Sequence, residues 1–311
     1  MSAIISNAQN REDVVLWRAL HHVQNGRYVE VGANHPTHDS VSRLFYDHGW
    51  SGITVEPVPH FAELQRAERP RDTQVEAAIS NTDDAQITLH VVPETGLSTT
   101  VDSVSDGHQA AGIEHTDIAV PAMSLNSLLA THGLESKDIH FLLIDVEGAE
   151  ADVLQSIDLS TWRPWILVIE ATAPTSTTPT HSEWEASVLD HQYEFCLFDG
   201  LSRFYVAAER AAELRHDLSF PASIWDDYRT ASEVAADQDR GELLAQVIHW
   251  RSRALSGWAG ATSQEIHVNA ELARLRKLVN TLRGDLKTLH ASTSWRVTAP
   301  LRKASRLGGR R

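Results

Sequence analysis

Residues 140–144 (HFLLI) are the most apolar run in the chain, and the run stops at Asp145. Residues 165–169 (WILVI) form a second buried run, which stops at Glu170. An acid set directly after a buried strand is unfavourable unless it faces a crevice or meets a partner. In an open α/β sheet the carboxyl ends of the central strands line such a crevice. Asp145 and Glu170 together can bind a divalent metal through oxygen, or orient and deprotonate a hydroxyl group. Either acid alone is as well explained as a cap on the following helix; the pair points to a site. His181 follows a Thr/Pro-rich loop leaving Glu170 and precedes Glu183 and Glu185, where it can serve the same crevice as base or metal ligand. Asp145, Glu170 and His181 are therefore the candidate catalytic residues, with Asp145 and Glu170 the candidate metal ligands. Residues 145–150 (DVEGAE) make a dense acidic turn, in which Glu150 reads as compensation of a helix dipole.

Residues 27–57 supply a place for a cofactor beside those acids. Residues 28–31 are an apolar strand broken by Gly32, Ala33 and Asn34. Gly32 has no Cβ, so a ligand can approach the backbone there. A helical rhythm follows at Val41, Leu44 and Phe45, then a second strand at 52–55 that stops at Glu56. Strand, small-residue turn, helix, strand and acid is the arrangement that holds a nucleoside-bearing cofactor, with the acid on the ribose hydroxyls. Only Gly32 remains of the three spaced glycines that a dinucleotide pyrophosphate requires, which disfavours NAD. A nucleoside cofactor without phosphate, such as S-adenosylmethionine, fits. Asp39, between the turn and its helix, is a further candidate, whereas His35 and His38 rank below it. No Gly-x-Ser-x-Gly elbow and no zinc-type spacing occurs, and the single Cys196 lies in a core-type strand.

The elements that position these residues read as an α/β sheet wound in both directions. A helix is expected from Val14 to Val23 and another over 61–67, a third strand over 74–79 and a half-exposed strand over 86–92. Residues 95–112 are polar and weakly structured, with 96–99 (GLST) part of a lid. Helices over 125–130 (Ser124 or Asn126 near its start), 150–157 and 183–189 follow. Strands at 194–198 and 203–206 flank Asp199 and Gly200 as a closing antiparallel hairpin. After residue 228 the character changes. Residues 230–253 read as a helix and 256–262 as a Gly/Ser break. Val268, Leu272, Leu275, Val279, Leu282, Leu286 and Leu289 then form a heptad seam. The domains are thus 1–228 and 229–311, the latter with a coiled coil over about 265–291 and a basic tail.

Composition bounds the partners. With 311 residues, 42% hydrophobic and 22% charged, the chain can bury a sizeable core. Lack of a basic leader and of a long apolar run predicts a cytoplasmic protein, and one cysteine fits a reducing compartment. The net charge of −15 divides unevenly: residues 271–311 carry eleven basic and two acidic residues, residues 1–270 sixteen basic and forty acidic ones. So acidic a body excludes nucleic acid as a partner. Residues 295–311 mix Trp295, Val297, Leu301 and Leu307 with arginines and Lys303, which suits peripheral contact with an anionic membrane surface. The unpartnered seam predicts a homo-oligomer.

Several of these stretches also resemble one family in the same order. Residues 10–16 (NREDVVL), 30–34 (EVGAN), 39–41 (DSV), 55–57 (VEP), 96–99, 144–150 (IDVEGAE), 163–165 (RPW), 179–185 and 198–201 (FDGL) are similar to the FkbM family of S-adenosylmethionine-dependent methyltransferases. The resemblance covers about residues 5–228. It implies a Rossmann-like class I methyltransferase sheet and O-methylation, often of sugars in glycans. It makes Glu30, Gly32 and Asn34 the motif around the methionine part of the cofactor. Glu56 becomes the ribose acid, Ser80 a neighbour of the adenine, and Asp145 the acid near the transferred methyl. In related metal-dependent O-methyltransferases acids at these two strand ends hold Mg²⁺, which extends by analogy to Asp145 and Glu170. Residues 294–302 resemble tails of bacterial surface-glycan glycosyltransferases, which implies a carbohydrate substrate and glycosyltransferase partners. The expected function is O-methylation of a sugar hydroxyl in a glycan or its lipid-linked precursor. The alternative is a non-catalytic scaffold that assembles glycan-synthesis enzymes through the coiled coil.

Overall fold

The computed structural model describes residues 4–81, 86–134 and 138–298. Met1–Val234 and Ala235–Arg311 form two compact units. In the first unit the strands in chain order are β1 (Ile4–Ser6), β2 (Arg27–Val31), β3 (Ser51–Val55), β4 (Thr73–Val75), β5 (Ala78–Ile79), β6 (Gln86–Val91), β7 (Thr116–Met123), β8 (Phe141–Ile144), β9 (Ile166–Glu170), β10 (Tyr193–Phe198), β11 (Ser202–Ala207) and β12 (Tyr228–Thr230). The helices are α1 (Glu12–Leu20), α2 (Arg43–Asp47), α3 (Pro59–Glu68), α4 (Asp102–Ala110), α5 (Leu125–Thr131), α6 (Glu150–Gln155), α7 (Glu185–Asp190) and α8 (Ala211–Leu214).

Seven strands make the main sheet in the order β10-β11-β9-β8-β2-β3-β4. β4, β3, β2, β8 and β9 are parallel, whereas β11 runs antiparallel to both β9 and β10. The central strands read as continuous apolar runs because both faces are covered. Side chains alternate between the faces. Val29, Val31, Leu142, Ile144, Leu167 and Ile169 pack with residues of α5 and α6. Tyr28, Phe141, Leu143, Ile166 and Val168 pack with residues of α1 and α2 and with Trp50. From β2 the chain proceeds outward to β3 and β4, and from β8 outward the other way to β9. The reversal opens a crevice at the carboxyl ends of β2 and β8.

A smaller sheet, β5-β7-β6, stands beside the main one, and it alters the sequence-based reading. Residues 74–79 are two strands: β4 pairs with β3, and after Glu76 and Ala77 β5 leaves to pair with β7. Val75 and Ile79 are both β-favouring, with no Gly or Pro between them, so periodicity alone could not place the break. Residues 95–112 are also more ordered than composition suggested. They carry α4, whose buried residues are Ser105 and His108 rather than apolar side chains. The expected helix at 183–189 is a 3₁₀ turn, His181–Glu183, followed by α7. α5 starts as expected at Ser124, whose Oγ accepts the Ser127 N–H at 3.1 Å.

The described residues of the second unit are almost all helical. α9 (Ala231–Ala291), which begins in the last residues of the first unit, runs 61 residues without interruption. Residues 256–262 do not break it, because isolated glycines lower helix stability by only about 1 kcal/mol each and are tolerated. The seam residues from Val268 to Leu289 are exposed along it, between 45% and 55%. A short α10 (Thr293–Val297) follows. Most of the basic tail, residues 299–311, lies outside the described residues. No helix among the described residues is long and apolar enough to cross a membrane.

Candidate active site

The crevice is a cleft of about 1210 Å³, open mouth included. Its floor comes from the ends of β2 and β8, one wall from the end of β3 and from residues 77–79, and its roof from Thr95, Gly96, Leu97 and Ser98. Glu30, Gly32, Asn34, Asp39, Glu56 and Asp145 all line it. Ser80 does not, although Ala78 and Ile79 just before it do; its N–H is spent on Met123 O at 3.0 Å.

The turn after β2 is held by backbone bonds. Gly32 and Ala33 N–H both donate to Val55 O at 3.0 Å, and Asp145 N–H donates to Val31 O at 3.0 Å. Gly32 has φ +85°, and a Cβ there would lie 1.7 Å from the Asp145 carbonyl oxygen. Its glycine is therefore demanded by the neighbouring strand end, a reason that the sequence did not show. Asn34 follows at φ 44°. An added Cβ on Gly96 would reach 2.9 Å from Asn34 Nδ2, so the roof loop lies directly on this turn.

Glu56 is buried and takes one backbone N–H on each oxygen: Asn34 on Oε2 at 2.7 Å and Val58 on Oε1 at 2.8 Å. These bonds fix the carboxylate but leave lone pairs toward the cleft. Burial outweighs them and pushes its pKa up to about 7. Glu30 turns to the other side of β2. Its Oε2 accepts from Ser42 Oγ and lies 3.8 Å from Arg69 Nη1, inside a network of Tyr28, Ser40, Ser42, Arg69 and Asp72. Glu30 thus positions the β2 end through Arg69.

At the floor the acids meet. One carboxylate oxygen each of Asp145, Glu147 and Glu170 lies within 4.8 Å of the other two. The carboxyls of Asp145 and Glu170 face one another, and burial raises the pKa of both; the charge of Asp145 raises Glu170 further. Burial, then Asp145 and Glu150, push Glu147 up to about 8. Oε2 of Glu147 and Oε2 of Glu170 are buried without a hydrogen-bond partner. The main influences on these pKa values are burial and neighbouring acids, with no arginine or lysine among them. Glu150 is more than dipole compensation. Its Oε1 accepts the N–H groups of Val146 at 3.3 Å and Gly148 at 3.1 Å, locking the acidic turn that presents Asp145 and Glu147. Glu147 itself sits at φ 53°, a strained conformation for a residue with a side chain.

His181 does not join this group. It is absent from the cleft lining, and its Nε2 lies 3.8 Å from Glu185 Oε2. Glu170 joins through its carboxyl but also lies outside the cleft lining. Two features were missed in the sequence. Glu147 was passed over as part of an acidic turn; its place between a strand-end acid and a glycine was the available signal. Gln9 lines the cleft because Asn10 donates to Asp199 O at 3.2 Å and Asp13 accepts from Ser6, Asn7 and Ala8, which folds residues 6–13 over the end of the sheet.

No arginine or lysine lines the cleft among the described residues. The acidic lining fits a phosphate-free nucleoside cofactor that carries positive charge. No match to a curated protein was found for this chain. Among solved structures it is similar to a TehB-like SAM-dependent methyltransferase from Corynebacterium glutamicum, with 8% identity over 63% of this chain and 86% of that chain, TM-score 0.35. It is also similar to the O-methyltransferase from Bacillus cereus in complex with SAH, with 12% identity over 65% and 84%, TM-score 0.35. A third is a SAM-dependent methyltransferase from Geobacter sulfurreducens in complex with S-adenosyl-L-homocysteine, with 12% identity over 63% and 68%, TM-score 0.31. At those scores these likenesses carry no argument about chemistry. The methyltransferase FkbM domain matches residues 30–195, from the first cleft acid on β2 through β9 and into β10. That span is more than half of the sequence, and the chain belongs to the FkbM family of S-adenosylmethionine-dependent methyltransferases.

Proposed function

We propose that the chain is an O-methyltransferase acting on a sugar hydroxyl of a glycan or lipid-linked glycan precursor, with Mg²⁺ or a similar cation at the cleft floor. The observation that carries this reading is the trio Asp145, Glu147 and Glu170, with two orphaned oxygens and no cationic side chain to answer them. Buried carboxylates gathered this way must be neutralised by protons or by a cation. Three oxygen ligands suit a hard divalent ion better than a transition metal. A cleft without basic residues also suits a neutral hydroxyl substrate over a phosphorylated one.

The cofactor supplies an electrophilic sulfonium methyl. Glu56, held by two backbone N–H groups, would accept hydrogen bonds from the ribose hydroxyls. Asp145 and Glu147 would orient the substrate hydroxyl, and one of them would take its proton as the O–CH3 bond forms and the methyl–sulfur bond breaks, releasing S-adenosylhomocysteine. The rigid turn at 145–150 keeps these carboxylates aligned, and alignment supplies much of the rate in a displacement of this kind. The heptad seam of α9 suits a homo-oligomer, and the basic tail suits the inner face of a membrane, near lipid-linked substrate and glycosyltransferase partners.

The test pairs calorimetry with methyl transfer to a sugar panel. Glu56→Ala should weaken S-adenosylmethionine binding by about 1–3 kcal/mol, the worth of a charge-assisted hydrogen bond. Asp145→Asn should retain cofactor binding and lose transfer. A chelator should suppress transfer, and Mg²⁺ should restore it. Unchanged transfer in excess chelator would remove the cation and leave the carboxylate base; unchanged binding by Glu56→Ala would overturn the ribose assignment.

A further inference from the structure

A second group of side chains lies away from the catalytic trio, on the small sheet. His90 on β6 is the register partner of Asp117 on β7. His115 stands two residues before Asp117, so the three side chains share one face of the pair. α4 covers that face and brings Asp102 from its first residue. His90 Nδ1 lies 2.7 Å from Asp117 Oδ1, and His90 Nε2 lies 3.1 Å from Asp102 Oδ1. His115 Nε2 lies 3.5 Å from the same Asp117 oxygen. One ligand atom each of His90, His115 and Asp117 lies within 4.8 Å of the others. Cross-strand pairing, not sequence spacing, assembles the group, which is why no zinc-type spacing exists in the sequence.

We propose that His90, His115 and Asp117, with Asp102 at the rim, bind a transition-metal ion of the Zn²⁺ type. Two imidazoles and a carboxylate are the donor set of such ions, whereas Mg²⁺ and Ca²⁺ prefer oxygen alone. One His90 nitrogen ligates while the other keeps a carboxylate hydrogen bond, the usual second partner of a ligating histidine. The carboxylates of Asp117 and Asp102 are 59% and 93% exposed, which leaves a path of entry and room for water in the remaining position. The two histidines are 10% and 18% exposed and are already held in place.

The site touches function through the roof of the cleft. His90 exchanges both backbone hydrogen bonds with Thr99, at 2.9 and 3.1 Å, and Thr99 Oγ1 donates to Glu147 O at 2.8 Å. Val92 N–H donates to Ser98 Oγ at 3.2 Å. An ion shared by β6, β7 and the start of α4 therefore ties both ends of the loop that roofs the cleft.

The experiment is a Co²⁺ and Zn²⁺ titration of the chelator-stripped full chain, by calorimetry and by visible absorption of Co²⁺. In Glu170→Gln, where the carboxylate trio is broken, one equivalent is expected, with the intense absorption of a low-coordinate cobalt site. Affinity should fall at least about tenfold in His115→Ala and in Asp117→Asn, the effect expected for losing a ligand or its support. Glu170→Gln should leave this binding unchanged, which separates the site from the carboxylate trio. Hydrogen exchange over residues 92–101 should slow when the ion is bound. Two variants guard against one that fails to fold, because Asp117 is mostly exposed. No uptake of one equivalent, equal affinity in a folded His115→Ala or Asp117→Asn chain, or the same loss in Glu170→Gln overturns the proposal.

Discussion

Gly32→Ala is the most direct probe of how the site is built. The new Cβ would lie 1.7 Å from the Asp145 carbonyl oxygen and 2.8 Å from its carbonyl carbon. An ordinary C···O contact is about 3.3 Å or longer, so the ends of β2 and β8 must part by more than an ångström. Both obstacles are backbone, so no rotamer change relieves them. Holding alanine at φ +85° adds about 1–2 kcal/mol. Parting the strand ends endangers the bonds Asp145 N–H to Val31 O and Gly32 N–H to Val55 O, at about 0.5–1.5 kcal/mol each. The sum is roughly 2–5 kcal/mol, a large share of the 5–15 kcal/mol that holds a typical domain. Gly200→Ala is the control, since Gly200 has φ +106° but nothing within 4 Å of the new Cβ. It should lose only the backbone term, about 1–2 kcal/mol. Urea unfolding followed by near-ultraviolet circular dichroism measures both variants, with equal slopes required for the comparison. If Gly32→Ala is no less stable than Gly200→Ala, the collision with Asp145 is not what makes position 32 a glycine.

Other consequences are open to measurement. Burial raises the pKa of Glu147 and Glu12 to about 8 and of Glu56 and Glu150 to about 7. A raised native pKa means that the folded chain holds protons which the unfolded chain releases, so this stability is present near pH 4.5 and lost as pH rises through 7–8. The ligand-free protein should therefore unfold at lower urea at pH 8 than at pH 5.5, and Glu147→Gln should flatten that slope; a midpoint rising with pH contradicts the assignment. Arg69→Met leaves Glu30 and Asp72 buried without their guanidinium, and should lower stability by about 3–5 kcal/mol; a loss under about 1 kcal/mol would show the network to be dispensable. Leu275→Asp with Leu282→Asp, on the exposed seam of α9, should convert an oligomer to a monomer in sedimentation; an unchanged mass removes the coiled coil as its cause.

Local pattern alone was enough to mark the central strands of the main sheet and where they stop. Residues 28–31, 140–144 and 165–169 read as buried parallel strands because both faces must be apolar, and each ends where a turn or an acid cannot continue the run. Glu56, Asp145 and Glu170 were legible for the same reason: an ionisable group directly after a buried run has few places to go. The tertiary structure decided which of those groups meet. His181 looked equivalent to Glu170 along the chain, yet the 3₁₀ turn at His181–Glu183 places it by Glu185, outside the acid trio. Glu147 entered the trio only because Glu150 folds the acidic turn back on itself. The need for Gly32 came from a carbonyl 113 residues away in the sequence. His90 and His115 became neighbours through the β6–β7 register, which no local pattern encodes. Local propensity and burial write strand ends into neighbouring residues, but a site is a set of distances between segments. Those distances are set by strand order and pairing register, which depend on the packing of the whole domain.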